Sequence, residues 1–258
     1  MKSLKPIFLL ALVFSFIFSS CKDDKKEKLN PENNVKLKFV MMDGNKEMAL
    51  YDTASLSTGF DFRLELFRLY ISDITFKKED DTELLVKDVD ILSPVKGDDN
   101  TVTLTVPYGD YKSLKIGYGV NAEQNLSDPT SFPQDHPLSN YQSMYWPMIN
   151  YRFLKFEGRA VQNSTSTDYL VAIHPGKDAL YKVHGYDFSP SLDVSASSSK
   201  EIIIKFDINA IFDGPAGVID FAVDDASSVH MTDALDDLIG DRFMENFAEA
   251  THLEVLSN

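Results

Sequence analysis

The chain has 258 residues, with 40 acidic side chains against 25 basic ones and a formal net charge of −15. An acidic excess on this scale repels a polyanion, and no basic stripe interleaved with aromatics offsets it, so nucleic-acid binding is excluded. A single cysteine excludes an internal disulfide, and no stretch beyond the first twenty residues is long and apolar enough to span a bilayer.

Residues 1–20 have the order of an export signal. Lys2 and Lys5 precede an apolar run from Pro6 to Phe18, and the small residues Ser19 and Ser20 stand just before Cys21. The run is shorter than the roughly 18 residues of a spanning helix. Cleavage before Cys21 removes two lysines and leaves the remainder more acidic still. A sole cysteine at this point resembles a bacterial lipobox, with Phe18 where leucine is commoner. That resemblance implies lipidation of Cys21 and an outer-membrane lipoprotein, held by burial of acyl chains at about 0.8 kcal/mol per CH2. A free thiol behind an uncleaved leader is the alternative. Lys22-Asp23-Asp24 resembles the export signal of Bacteroidetes surface lipoproteins, and a solvated charge run explains it equally, so both faces of the membrane stay open. Residues 21–34 read as a charged tether that ends in Asn30-Pro31-Glu32-Asn33-Asn34.

From Val35 to the end, residues 35–258 read as one β domain. Val35, Leu37 and Phe39 alternate with lysines, the mark of a half-buried strand. The apolar-rich run Phe62 to Phe76 ends in a strand, and Leu84–Leu92, Thr101–Val106 and Tyr111–Val120 follow. Thr101 to Val106 is almost pure β vocabulary. Residues 121–142 carry repeated breakers, Asp128-Pro129 and Phe132-Pro133 among them, and form a long irregular loop of the kind that often carries function. Strand character returns from Met144 to Val161. Tyr169–His174 and Ala179–His184 flank Pro175-Gly176-Lys177-Asp178 and read as a hairpin. Glu201 to Ile208 is apolar enough for a central strand. Past Thr232 the period changes to helical, through Leu235, Leu238, Ile239, Phe243 and Phe247, with Ser228 or Thr232 as cap and Gly240 dividing two short helices. The expected fold is an all-β antiparallel sandwich or barrel-like domain with short C-terminal helices.

Five histidines permit a metal site, but none lies in a local zinc motif such as HExxH, so a site must be assembled in space. On the hairpin reading His174 and His184 lie roughly 16 Å apart and do not share a metal. His174 pairs better with the 121–146 region, and His230-Met231 offers two ligand types that copper accepts. Hydrolytic chemistry has little support. No G-x-S-x-G is present, the one cysteine belongs to the anchor, and Asp224-Asp225 and Asp236-Asp237 are ordinary in so acidic a chain. No enzyme activity is expected.

The most distinctive stretch is Met144-Tyr145-Trp146, with the only tryptophan, followed by Tyr151, Phe153, Lys155, Glu157 and Gly158. With His174-Pro175-Gly176 and Tyr70-Ile71-Ser72-Asp73-Ile74, it resembles the signature of the MbnP-like copper-binding family. The resemblance implies an extracytoplasmic β protein that binds copper. In some members a tryptophan is oxidised to kynurenine by a partner di-haem enzyme and serves at the metal with histidines. Carried over, Trp146 is a candidate modified residue and His174 a candidate ligand, while His136 and His230 are candidates by position. The chain departs from the pattern at Met148 (often aromatic), at Asn150 (often glycine), at Asp73 (for asparagine) and in the first strand, where Phe39-Val40-Met41-Met42 holds no histidine. Met41, Met42, Met144 and Met148 are thioether donors for Cu(I) or core residues. The alternative function is a surface module without metal that presents the 121–142 loop to a protein or glycan.

Overall fold

The computed structural model describes residues 31–257, apart from 197–199, 225–227 and 231–233. The strands in chain order are β1 (Glu32–Asp43), β2 (Lys46–Glu47), β3 (Thr53–Ser55), β4 (Phe60–Lys78), β5 (Glu83–Leu92), β6 (Thr101–Pro107), β7 (Gly109–Tyr118), β8 (Tyr145–Trp146), β9 (Asn150–Tyr151), β10 (Leu154–Gln162) and β11 (Asp168–Ile173). Then come β12 (Lys182–Val194), β13 (Lys200–Asp207), β14 (Asp213–Gly214), β15 (Gly217–Val218), β16 (Ser228–Val229) and β17 (Thr251–Ser257). The α-helices among the described residues are α1 (Ala122–Asn125), α2 (Ile208–Phe212) and α3 (Ala234–Glu249).

Two sheets carry the fold. One runs β17-β13-β1-β2, with β6 also on β1, and the other runs β12-β7-β4-β10-β11-β16, with β3 and β5 added along β4. The architecture is the expected β-sandwich, and neither sheet closes into a barrel. Most pairings are antiparallel, but β1–β13 and β11–β16 are parallel. The alternation read in the sequence is the inner face of the first sheet. Val35, Leu37, Phe39 and Met41 are buried on β1, Val102, Leu104 and Val106 on β6, and Ile202, Ile204 and Phe206 on β13. The expected central strand lies between β1 and β17.

Strand β4 explains why the run from Phe62 to Phe76 shows no clean period. Phe60, Phe62 and Leu64 are buried, then Phe67, Leu69 and Ile71, then Ile74 and Phe76. The buried parity switches twice, and each switch is a β-bulge. At the first, Glu157 pairs with Leu66 while Gly158 pairs with Leu64, leaving Glu65 without an opposite residue. At the second, Asp73 adopts a left-handed φ of 49° and the pairing with β7 slips between Ser72 and Thr75. A bulge adds one residue, so the side-chain alternation flips after it.

The sheets meet on aromatic rings. Phe206 packs on Tyr118 at 5.7 Å and on Phe67 at 6.3 Å across the sandwich, and on Phe247 of α3 at 4.7 Å. Such pairs are worth about 0.5–1.5 kcal/mol each beyond the area they bury. Asn246, fully buried on α3, donates to the carbonyls of Ile211 and Gly217 and accepts the Ala216 N–H, which ties α2 and the β14–β15 turn to the helix.

Several expectations are corrected. The strands on either side of 175–178 do not form a hairpin. Strand β11 pairs with β10 and β16, β12 pairs with β7, and three strands stand between them. After Pro175 the chain makes a single 3-10 turn at Asp178–Leu180 and crosses the sheet end instead of reversing. Gly240 is buried within one continuous 16-residue helix, so it divides nothing. Ser228 is a strand residue, and Thr232 lies outside the described residues. The expected helical segment near the C-terminus is α3, and β17 follows it and pairs with β13 from Thr251 to Ser257. The loop 121–142 contains α1 and two 3-10 turns, and 144–161 divides into β8, β9 and β10. Strand β1 starts at Glu32, because Glu32 to Asn34 pair through backbone with β6 although their side chains stay largely in solvent.

A Cβ on Gly158 would stand 2.3 Å from the Arg63 carbonyl oxygen and 2.6 Å from the Phe62 ring. Gly158→Ala is expected to lose about 1–3 kcal/mol in urea unfolding, because backbone must yield. Gly185, with nothing within 4 Å of such a Cβ, provides the control. Gly185→Ala should stay within about 1 kcal/mol of wild type, on the stabilised side. Equal losses at both positions would refute this account of the bulge.

Candidate functional site

Strand β11 runs Ala172-Ile173 into His174, and β16 runs Ser228-Val229 into His230. The two strands are parallel, with Ala172 opposite Ser228 and Ile173 opposite Val229. The His174 N–H donates to the Val229 carbonyl at 2.9 Å. Continued by one residue, this register sets the histidines side by side. Their rings stack with centroids 4.8 Å apart and planes 17° apart. His174 is buried.

Trp146 reaches this pair from a tight turn. Strands β8 and β9 pair Trp146 with Asn150, and the Ile149 N–H donates to the Trp146 carbonyl at 3.0 Å. Asn150 has a φ of 63°. Glycine is the ordinary residue at such a position and asparagine the best substitute, so the departure at Asn150 preserves the turn. The indole meets the His230 ring edge-on at 6.0 Å and 83°. The Arg152 guanidinium carbon lies 5.5 Å from the centre of the indole, a cation–π contact.

Hydrogen bonds lock the turn to the histidine loop. The Phe153 N–H donates to the Pro175 carbonyl at 2.6 Å, and the Tyr151 N–H to Asn125 Oδ1 at 3.1 Å. Asn125 Nδ2 donates in turn to the Gly176 carbonyl at 3.1 Å. A Cβ on Gly176 would lie 2.5 Å from the Tyr151 carbonyl oxygen, which is why glycine follows His174-Pro175. The loop 121–142 is held down by two buried tyrosines, Tyr70 on the Pro137 carbonyl and Tyr151 on the Leu138 carbonyl, both at 2.8 Å.

Glu157 supplies the charge. Glu157 pairs with Leu66 just before the register shift that leaves Glu65 of β4 unopposed, and its Oε1 lies 2.8 Å from His174 Nε2. The Lys155 ammonium lies 3.7 Å from the same oxygen. Burial drives the His174 pKa down from 6.5 to about 4, against the pull of Glu157 and with help from His230 and Arg152. At neutral pH His174 is therefore an uncharged imidazole, the form that donates a lone pair to a metal.

The other sequence candidates lie elsewhere. His136 stacks on Phe132 at 4.3 Å, and its Nδ1 accepts the Leu138 N–H at 3.1 Å. With Nδ1 accepting, neutral His136 carries its hydrogen on Nε2 and has no lone pair left for a metal. It shares a cavity of about 230 Å³ with Asp88, Glu123 and Gln124, not with Trp146. His184 lies over Tyr186 beside Glu249. His252 is on the outer strand β17 opposite Lys205. Met41 and Met144 are fully buried, Met42 is half-buried and Met148 is exposed at the turn. Met231 and Cys21 lie outside the described residues. Sequence reasoning took Glu157 only as part of a motif and missed Arg152 as a neighbour of Trp146. It also missed a legible signal for the paired histidines, the twin pattern of a small residue, a β-branched residue and histidine at 172–174 and 228–230.

The sequence profile of the MbnP family matches residues 32–231. The chain belongs to the MbnP family. Among solved structures, MbnP from Methylosinus trichosporium is similar, with a TM-score of 0.53 and 13% sequence identity over 87% of this chain and 99% of that one. At that identity the likeness to MbnP is one of fold. No curated protein matched the sequence. The family match contains Trp146, Glu157, His174 and His230. It ends before α3 and β17, which here complete the core through Phe247 and the first sheet through pairing with β13.

The depressed His174 pKa makes stability depend on pH. Between about pH 6.5 and 4 the unfolded chain takes a proton at this residue and the folded chain does not, so stability falls as pH falls through that window. In metal-free protein, the urea midpoint of wild type should decline more steeply across this range than that of His174→Gln. The excess slope is at most about 1.4 kcal/mol per pH unit. Parallel curves for the two proteins would show that His174 is not held neutral by burial.

Proposed function

We propose that this chain is an extracytoplasmic copper-binding lipoprotein, anchored through Cys21, with the metal held at His174 and His230. The observation that carries the reading is the stacked His174–His230 pair with Trp146 against its edge. Imidazole nitrogens suit copper, and the carboxylate beside His174 is the usual partner of a metal-bound histidine.

The fit is partial on this chain's unmodified residues. Among the described residues, no three His, Cys, Asp or Glu side chains are grouped to hold a metal. A further donor is needed, and Trp146 stands where one would serve. Opening its indole takes two oxygen atoms, from one dioxygen molecule or from two of hydrogen peroxide with release of two waters, into the C2–C3 double bond. Hydrolysis then releases C2 as formate and leaves an aryl amine and a ketone, both able to coordinate. The di-haem partner implied by the family resemblance is the catalyst we assign to that oxidation. Copper, when bound, supplies the chemistry of a redox-active Lewis acid. The protein's own residues bind it, exclude water and orient His174, and we read the chain as a binder and not a catalyst. Of the sequence candidates, His136 drops out of this ligand set.

A second reading, a surface module without metal, is favoured by one observation. Leu126 and Tyr141, at either end of the 121–142 loop, are 76% and 72% exposed.

Mature protein loaded with copper and desalted should retain it in stoichiometric amount by metal analysis. His174→Ala and His230→Ala should each lose most of it. Mass analysis of the peptide holding Trp146, from protein made in its native host, should show the oxidised ring. Wild-type protein without copper would sink the proposal, and full retention in both histidine variants would remove the assigned ligands.

A further inference from the structure

Glu157 does not lie near His174 by chance of surface packing. Its place opposite Leu66, beside the β4 bulge at Glu65, fixes its direction, and Gly158, which tolerates no Cβ against Arg63 and Phe62, holds β10 close to β4 there. His174 is equally fixed, by its N–H on Val229 and by the His230 ring. Two side chains held from separate strands thus meet at 2.8 Å, Oε1 to Nε2. A carboxylate can only accept a hydrogen bond, so the imidazole must donate from Nε2. A neutral imidazole has one hydrogen, and placing it on Nε2 leaves the lone pair on Nδ1.

We infer that Glu157 is the positioning residue for His174, holding the hydrogen on Nε2 so that His174 meets a cation through Nδ1. The tautomer half of this inference stands on the metal-free protein, and only the cation half rests on the copper reading. It also separates His174 from His136, whose Nδ1 is taken by the Leu138 N–H and whose hydrogen likewise lies on Nε2. One histidine presents a lone pair and the other an N–H.

Long-range proton–nitrogen correlation on 15N-labelled, metal-free protein reads the tautomer directly. Wild type should show His174 protonated at Nε2 and bare at Nδ1. Glu157→Gln should keep that pattern, since its amide oxygen still accepts, whereas Glu157→Leu should give a mixture of tautomers. Copper affinity by chelator competition should fall about 10–100-fold in Glu157→Leu and less in Glu157→Gln. A wild-type His174 protonated at Nδ1, or a Glu157→Leu protein with the wild-type pattern and affinity, would overturn the assignment. If wild type binds no copper while the tautomer changes as expected, the copper reading falls and the positioning role of Glu157 stands.

Discussion

The site depends on a parallel pairing two residues long. Among the described residues, β16 pairs with the larger sheet through Ser228 and Val229, opposite Ala172 and Ile173. An antiparallel pairing there would have sent the chains out in opposite directions. The parallel one sends both out together, so the residues that follow emerge as neighbours with rings in contact. Parallel pairing of strands this far apart in sequence requires a long crossover. Strand β13 and helix α2 lie within that crossover, and their buried faces form part of the sandwich core. The histidine pair is thus set by the same connection that completes the core.

How much of this was legible follows from what each signal measures. Alternation reports a strand with one face in the core, and β1, β6 and β13 were readable for that reason. It fails where a bulge shifts the period, as in β4, and where both faces are covered, as at Tyr70 under the 121–142 loop and at Ser72 beside Tyr181. It also cannot say which strand pairs with which. The segments around Pro175-Gly176 have every local mark of a hairpin, yet their partners are β10 and β7, chosen by packing at long range. Trp146, His174 and His230 were named from motif and position, and they converge. His136 was named on the same grounds and does not join them. Nothing in its local sequence shows that the Leu138 N–H claims its Nδ1. Glu157 and Arg152 carry ordinary charged-residue signals, and only the bulge and the β8–β9 turn reveal what they face.

Two departures from the family pattern have one explanation. Asn150 stands for glycine and Asp73 for asparagine, and both adopt left-handed backbone, with φ of 63° and 49°. Asn and Asp are the residues after glycine that tolerate this conformation, because their short polar side chains bond locally. The Asp73 carboxylate is held here by distant partners, accepting from Tyr181 Oη at 2.7 Å and from Asn121 Nδ2 at 3.1 Å. These substitutions keep the backbone that positions Trp146 and β4. They are conservative in conformation even where they change charge, so they do not count against a retained site.

On the copper reading proposed above, the protein's acidity is not what would draw a cation to this place. Among the described residues, the charged groups in contact with His174, Glu157 or Trp146 include Glu157 itself, Lys155 and Arg152, one negative and two positive. Burial of His174 further disfavours a second positive charge, which is why its pKa is low. On that reading, capture of the metal rests on donor atoms held in position and not on local field. That favours a cation bound strongly by nitrogen ligands over a hard cation such as calcium, which relies on carboxylate oxygens. The same burial that withholds the proton from His174 keeps its lone pair available at neutral pH. Acid lability and the proposed metal binding would then be two results of one buried imidazole.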